Sequence, residues 1–242
     1  MRIPTVRGVI DRRILINYRV DLAALTKLCP SPFRPLSVNG FGLAGICLIR
    51  LREIRPKFLP RFVGISSENA AHRFAVQWDS KHGMQTGVYI PRRDTSSWVN
   101  AFAGGRVFPG VHHQSHFDVK ETEEVFQVEM TNRDGEAYLK IVGEKTDVFP
   151  QDSIFESLEQ CSKFYQAGSV GYSPANVDKQ YDGLELKTHR WQVTPLAVSE
   201  SESSYFSNET LFPAGSAVLD NALLMQGIEH DWNSRQTLCC RS

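Results

Sequence analysis

Residues 111–145 read VHHQSHFDVKETEEVFQVEMTNRDGEAYLKIVGEK, and their alternation decides the fold. Apolar and polar side chains take turns along 111–119 and again along 124–131, the period of a strand with one buried face. Asn132-Arg133-Asp134-Gly135 has the chemistry of a hairpin turn, because Gly takes positive φ without steric cost and Asn and Asp tolerate it. Residues 137–145 return as the partner strand. Strands that follow one another through hairpins, with no helix between them, build an antiparallel sheet.

The flanking sequence extends this pattern. Residues 13–20 form a first strand, and Asp21 caps a short helix that Pro30 and Pro32 end. Residues 41–54, FGLAGICLIRLREI, are apolar on both faces, as a buried strand is. Segments 62–78, 87–90 and 184–193 are further strands. Asp94 opens a capped helix closed by Gly104 and Gly105. Ser153 opens another through the capping box Ser153-Ile154-Phe155-Glu156. Ser216 caps a last helix, AVLDNALLMQGIE, whose Val218, Leu219, Ala222, Leu223 and Met225 make a helical stripe. That stripe packs on the sheet or docks on a second subunit. The expected fold is a β-rich α+β domain, a curved antiparallel β-barrel with a few short helices. Residues 1–242 form one domain, with the barrel over 10–200 and a C-terminal extension carrying a helix over 201–242.

Composition excludes several function classes. Lys plus Arg and Asp plus Glu each number 27 in the 242 residues. Zero net charge lacks the basic footprint of a nucleic-acid binder and gives no attraction to anionic lipid. Charges interrupt each apolar run near the N-terminus, and no run reaches the ~18 apolar residues a membrane helix needs. The five cysteines, Cys29, Cys47, Cys161, Cys239 and Cys240, contain no CxxC pair. Neither a disulfide framework nor a zinc site is indicated, and reduced thiols fit a cytoplasmic protein.

The densest chemistry is His112-His113-Gln114-Ser115-His116. Strand geometry argues against a metal there, since His112 and His116 stand about 13 Å apart on one face and His113 points to the other. Zinc needs each imidazole nitrogen at about 2.1 Å. A metal-assisted hydrolase is therefore the weakest of the readings. Val111, His113, Ser115, Phe117 and Val119 share the apolar face, so His113 points inward, either into a pocket or as a core histidine bonded to a carbonyl. Glu68 interrupts an extended segment, Ser66 to Arg73. Pointing inward it requires a cation or imidazole partner; pointing outward it is an ordinary solvated residue. No GxSxG, GxxxxGK[ST], HExxH or GxGxxG string in its required context is present.

The order of signals has a precedent. ALTKLCPSPFRPLSVNGFGLAGICLIRL (24–51), SSENAAHRF (66–74), GVYIPRRDTS (87–96), GRVFPGVHHQSHF (105–117), NRDGE (132–136) and SLEQCSKFY (157–165) resemble the YqjF-like family, domain of unknown function 2071, in the acetoacetate decarboxylase-like superfamily. The resemblance covers roughly 10–200 and implies a curved antiparallel β-barrel around a central pocket. In the decarboxylases a Gly-Arg pair precedes the strand that carries the catalytic lysine. Matching it to Gly105-Arg106 puts the lysine's place near His113, with Gln114 where a second lysine stands and Glu68 as the pocket glutamate. The family's Asn-Val-Arg string is Asn69-Ala70-Ala71-His72-Arg73 here, which displaces Arg73 and puts His72 in its place. Imidazole cannot form the protonated imine that a primary amine forms with a ketone.

The resemblance and the residues together imply a small-molecule pocket, with an enzyme on a small carboxylate or keto compound that lacks the Schiff-base lysine. The alternative is a non-catalytic ligand-binding or scaffold protein. His113 and Glu68 are the candidate catalytic pair. Arg106, Gln114, His72 and Ser115 are candidate ligand-binding residues. No metal, cofactor, nucleic acid or membrane is expected; the partners are an unidentified small molecule and a second copy of the chain.

Overall fold

The computed structural model describes residues 4–98, 110–133 and 135–239. Its strands are β1 (Val6–Asp21), β2 (Arg34–Pro35), β3 (Ser37–Val38), β4 (Phe41–Pro56), β5 (Ile65–Ser80), β6 (Gly83–Thr95), β7 (His112–Glu121), β8 (Val125–Asn132), β9 (Tyr138–Lys145), β10 (Val170–Pro174), β11 (Gln180–Thr188), β12 (Thr194–Ser203) and β13 (Ala217–Cys239). Among the described residues, helices α1 (Leu22–Leu28) and α2 (Leu158–Ala167) interrupt them. No helix among the described residues is long and apolar enough to cross a membrane.

Pairing runs β6-β7-β8-β9-β12-β13-β1-β4-β5, and β5 pairs back onto β6, so the curved sheet closes in a ring. A second path leaves β13 through β11 and β10 and returns to β6 over the other face of the same wall. Pairings are antiparallel except for two short parallel contacts that β6 makes with β7 and with β10. The wall β1, β4, β5, β6 and β13 therefore has an interior on each side. Period two sorts its residues between them. Ile14, Ile16, Ile46, Leu48, Phe74 and Leu224 pack inside the ring with Val128, Met130 and Leu139. Leu15, Leu43, Cys47, Leu223 and Met225 pack on the opposite face with Cys161 and Tyr165 of α2.

The expected helix over 217–229 is a strand. β13 pairs with β1 from Ala217 to Trp232, so the segment beyond residue 200 completes the sheet. Burial on both faces makes 222–225 continuously apolar, and such a run satisfies helical spacing as well as strand spacing. Asp94 caps no helix; it lies in β6, fully buried. The rest of that expected helix, 99–105, lies outside the described residues. The helix expected from Ser153 starts later, with Ser157 accepting from the Gln160 amide at 3.2 Å, while Ser153 donates to Asp220 at 2.6 Å. The β8–β9 hairpin and the helix after Asp21 stand where the sequence places them, although the Asp21 side chain makes no capping bond.

Strand and helix make opposite demands at two residues. Leu224→Ala should cost about 2–5 kcal/mol in urea unfolding. Val218→Ala, at a site 41% exposed, should stay within about 0.5 kcal/mol. The reverse order would favour a helix, whose buried stripe includes Val218 and omits Leu224.

Candidate functional site

One row of paired residues crosses the shared wall. Leu15 of β1, Cys47 of β4, Ala71 of β5, Arg93 of β6 and His112 of β7 are successive partners. Arg13 lies two residues from Leu15, and Arg73 two from Ala71, so strand alternation brings both to the same face. Arg13, Cys47, Ala71, Arg73, Arg93 and His112, with Tyr165 of α2, Gly171 of β10, Leu186 of β11 and Trp191, line a cavity of about 180 Å³. Ala71 is small, which leaves room above the middle of the row.

Three guanidiniums meet this cavity, and among the described residues none is paired with a carboxylate. Arg13 donates through Nε to Cys47 Sγ at 3.3 Å and through a terminal nitrogen to Met225 Sδ at 3.9 Å; sulfur is a weak acceptor. Arg73 donates to Asn17 Oδ1 at 2.5 Å, lies 4.8 Å from the Tyr165 ring centre, and its buried Nε has no hydrogen-bond partner. Arg93 donates to Ser173 Oγ at 3.0 Å. Burial pushes the pKa of Arg73 down, and that of Arg93 down to about 10. Asp94 touches the wall, but Arg92 holds its carboxylate at 2.9 and 3.0 Å and Ser115 donates to it at 2.9 Å.

His112 completes the rim. Its Nδ1 lies 3.0 Å from the Gly110 carbonyl oxygen, which can only accept, so the neutral ring leaves Nε2 as an acceptor. Burial, then the Arg93 charge, pushes the His112 pKa down to about 4.

The expected residues are placed differently. Glu68 and His113 lie on the other face of the wall, with His113 beside Asp94 and Glu68 two rows away beside Arg50. What answers Glu68 is arginine: Arg12 at 2.6 Å and Arg50, both of which also hold Glu121. Neither Glu68 nor His113 lines the cavity; the histidine that does is His112, one residue earlier. Ser115 is buried against Asp94, and Gln114 pairs beside Thr95 away from the cavity wall. His72 does not take the place of Arg73. It sits inside the ring, 4.4 Å from the Tyr205 ring centre, while Arg73 faces the cavity. Arg106 lies outside the described residues. Arg73, set between Ala71 and Ala75 on one strand face, was the one local signal for the cavity; a buried cation needs an answer whether or not a motif surrounds it.

The ring-closed sheet has the fold of solved acetoacetate decarboxylase-like structures. The acetoacetate decarboxylase of Legionella pneumophila superposes with a TM-score of 0.64 at 9% identity, over 98% of this chain and 88% of that one. An acetoacetate decarboxylase-like enzyme from Sphingomonas wittichii RW1 gives 0.59 at 9% identity, over 98% and 93%. The enduracididine biosynthesis enzyme MppR, complexed with pyruvate, gives 0.62 at 6% identity, over 100% and 92%. At such identities the likeness is one of fold. No curated protein sequence matches the chain. Residues 10–225 match the family described as an uncharacterized conserved protein, domain of unknown function 2071, and the chain belongs to that family.

Two outcomes test the placement. Glu68→Gln should lower stability by about 2 kcal/mol, the scale of a charged hydrogen bond, and leave carboxylate binding unchanged in calorimetry. The second is a pH dependence. Burial holds His72, His112 and His230 near 4, whereas unfolded histidine titrates at about 6.5. Between these values the unfolded chain binds more protons, so stability is full above about 6.5 and falls as pH drops, levelling off below about 4. Each histidine contributes up to about 1.4 kcal/mol per pH unit. In chemical denaturation across this range, His72→Phe should flatten the slope by about one proton.

Proposed function

We propose that the cavity binds a small carboxylate or keto acid, and that the protein is a small-molecule enzyme or binder that works without an imine. The observation that carries this is the gathering of Arg13, Arg73 and Arg93 around one cavity, with none of the three paired to a carboxylate among the described residues. Burying an unpaired guanidinium costs several kcal/mol. A carboxylate offers the planar, bidentate acceptor that guanidinium donors match. No lysine is among the described residues of the wall, so a primary amine for Schiff-base chemistry is lacking there. The volume suits a ligand of few atoms, at about 30 Å³ per water displaced. Pyruvate, the ligand seen with the fold neighbour MppR, is the first probe.

Calorimetry should show pyruvate binding to the purified protein. Arg93→Met should weaken it by about tenfold or more, the loss of one charged hydrogen bond. Urea unfolding of that variant should show equal or greater stability, because an unanswered buried cation is removed. A chain that binds no small carboxylate, or a variant that loses stability while keeping affinity, would defeat the proposal.

A further inference from the structure

Cys47 lines the cavity. In its row it stands beside Ala71, with Arg93 and His112 beyond, and Arg13 Nε–H points at its sulfur. Reactive cysteines sit in electropositive surroundings, and a guanidinium donor supplies one here. Arg13 donates to the Cys47 sulfur at 3.3 Å, and Arg73 and Arg93 line the same cavity. The buried Arg73 Nε, with no partner, marks an acceptor position in the same cavity. The thiols of Cys29 and Cys161 do not line the cavity, and burial pushes both up to about 12. Cys239 is exposed.

We propose that Cys47 is the nucleophile of the cavity, adding to the carbonyl carbon of a 2-oxo acid whose carboxylate the arginines hold. This rests on the reading of the cavity as a carboxylate site. In the step the Cys47 sulfur forms a bond to the carbonyl carbon, and the carbonyl π bond breaks toward oxygen. The thiol proton ends on that oxygen. The product is a thiohemiketal, and no oxidant or reductant is consumed. Arginines that attract the carboxylate also favour the developing oxyanion.

The wild-type chain can be tested with iodoacetate and its neutral analogue iodoacetamide. In either reaction the sulfur displaces iodide and the thiol proton goes to solvent. An ordinary thiol reacts faster with the neutral reagent. Peptide mass spectrometry should show Cys47 labelled about tenfold or more faster by iodoacetate, the gain expected of a cationic cleft, with pyruvate slowing the reaction. Cys239 should keep the ordinary order. With pyruvate carrying carbon-13 at its keto carbon, a resonance should leave the ketone region, and that resonance should be missing in Cys47→Ala. Ordinary reagent order at Cys47, an unlabelled Cys47, or a keto carbon unaffected by Cys47 overturns the proposal. Pyruvate binding in calorimetry separates the two readings. Binding with an inert Cys47 removes only the nucleophile, whereas no binding removes the carboxylate site itself.

Discussion

The shared wall constrains everything else. Strands β1, β4, β5, β6 and β13 have the ring on one side and the smaller circuit on the other, so their central residues have no solvent face. A polar group placed there must be answered inside the molecule, because the cost of an unanswered one exceeds the gain from a typical hydrogen bond. The same constraint explains why 41–54 and 217–229 carry apolar residues on both alternating faces, which hides the strand period that an exposed sheet would display.

Arg12 and Arg13 show the two outcomes available. They are neighbours in β1 and project to opposite faces. Arg12, only 1% exposed, meets Glu68 and Glu121, and Arg50 binds the same two carboxylates. Burial pushes the Glu121 carboxyl up, but the hydrogen bonds and charges of Arg12 and Arg50 outweigh it and hold the group below the ordinary glutamate value. That cluster sets two guanidiniums against two carboxylates, so its charges answer one another, although Arg12 Nε has no hydrogen-bond partner there. Arg13 meets two sulfurs. With Arg73 and Arg93 it leaves positive charge in a partly buried space, where its attraction for an anion exceeds that in open water. A chain with zero net charge overall thus concentrates one sign where a small anion fits.

The sequence reveals the fold better than the site, for a physical reason. Residues 125–145 expose one face, so alternation and turn chemistry locate β8, β9 and their hairpin. Where both faces are buried, 217–229 fits a helical stripe equally well, and only the pairing with β1 settles it. The inward direction of Ser115 was readable from face alternation, that of Glu68 stayed open, and the partners of neither were legible. Glu68 needed a cation, and two arginines from distant strands supply it, although nothing near Glu68 in sequence names Arg12. At His72 and Arg73 the likeness of a string pointed one way and alternation the other, since adjacent strand residues cannot share a face. The same one-residue parity separates His112 from His113. Register is the missing quantity in each case, and it comes from long-range pairing that local patterns do not contain.

The size of the cavity bears on how it would select a ligand. At about 180 Å³ it lies below the roughly 300–1,000 Å³ of pockets that hold drug-sized molecules or cofactors. Little apolar area is available to a ligand of that size, so affinity must come from charge and geometry. The walls are set to keep it small. At Gly171 an added Cβ would lie 3.0 Å from Ile90 Cδ1 and 3.3 Å from Val88 Cγ2, both cavity residues, so β10 packs closely on β6 because a side chain is missing there. Ala71 supplies the matching gap on the floor, between Cys47 and Arg93. A larger residue at 71 would cover the sulfur and separate it from the guanidinium beyond. Close packing at Gly171 and open space above Ala71 together place any small ligand against one patch of wall. That patch holds a thiol, three cations and the neutral ring of His112, which is where the arrangement concentrates its chemistry.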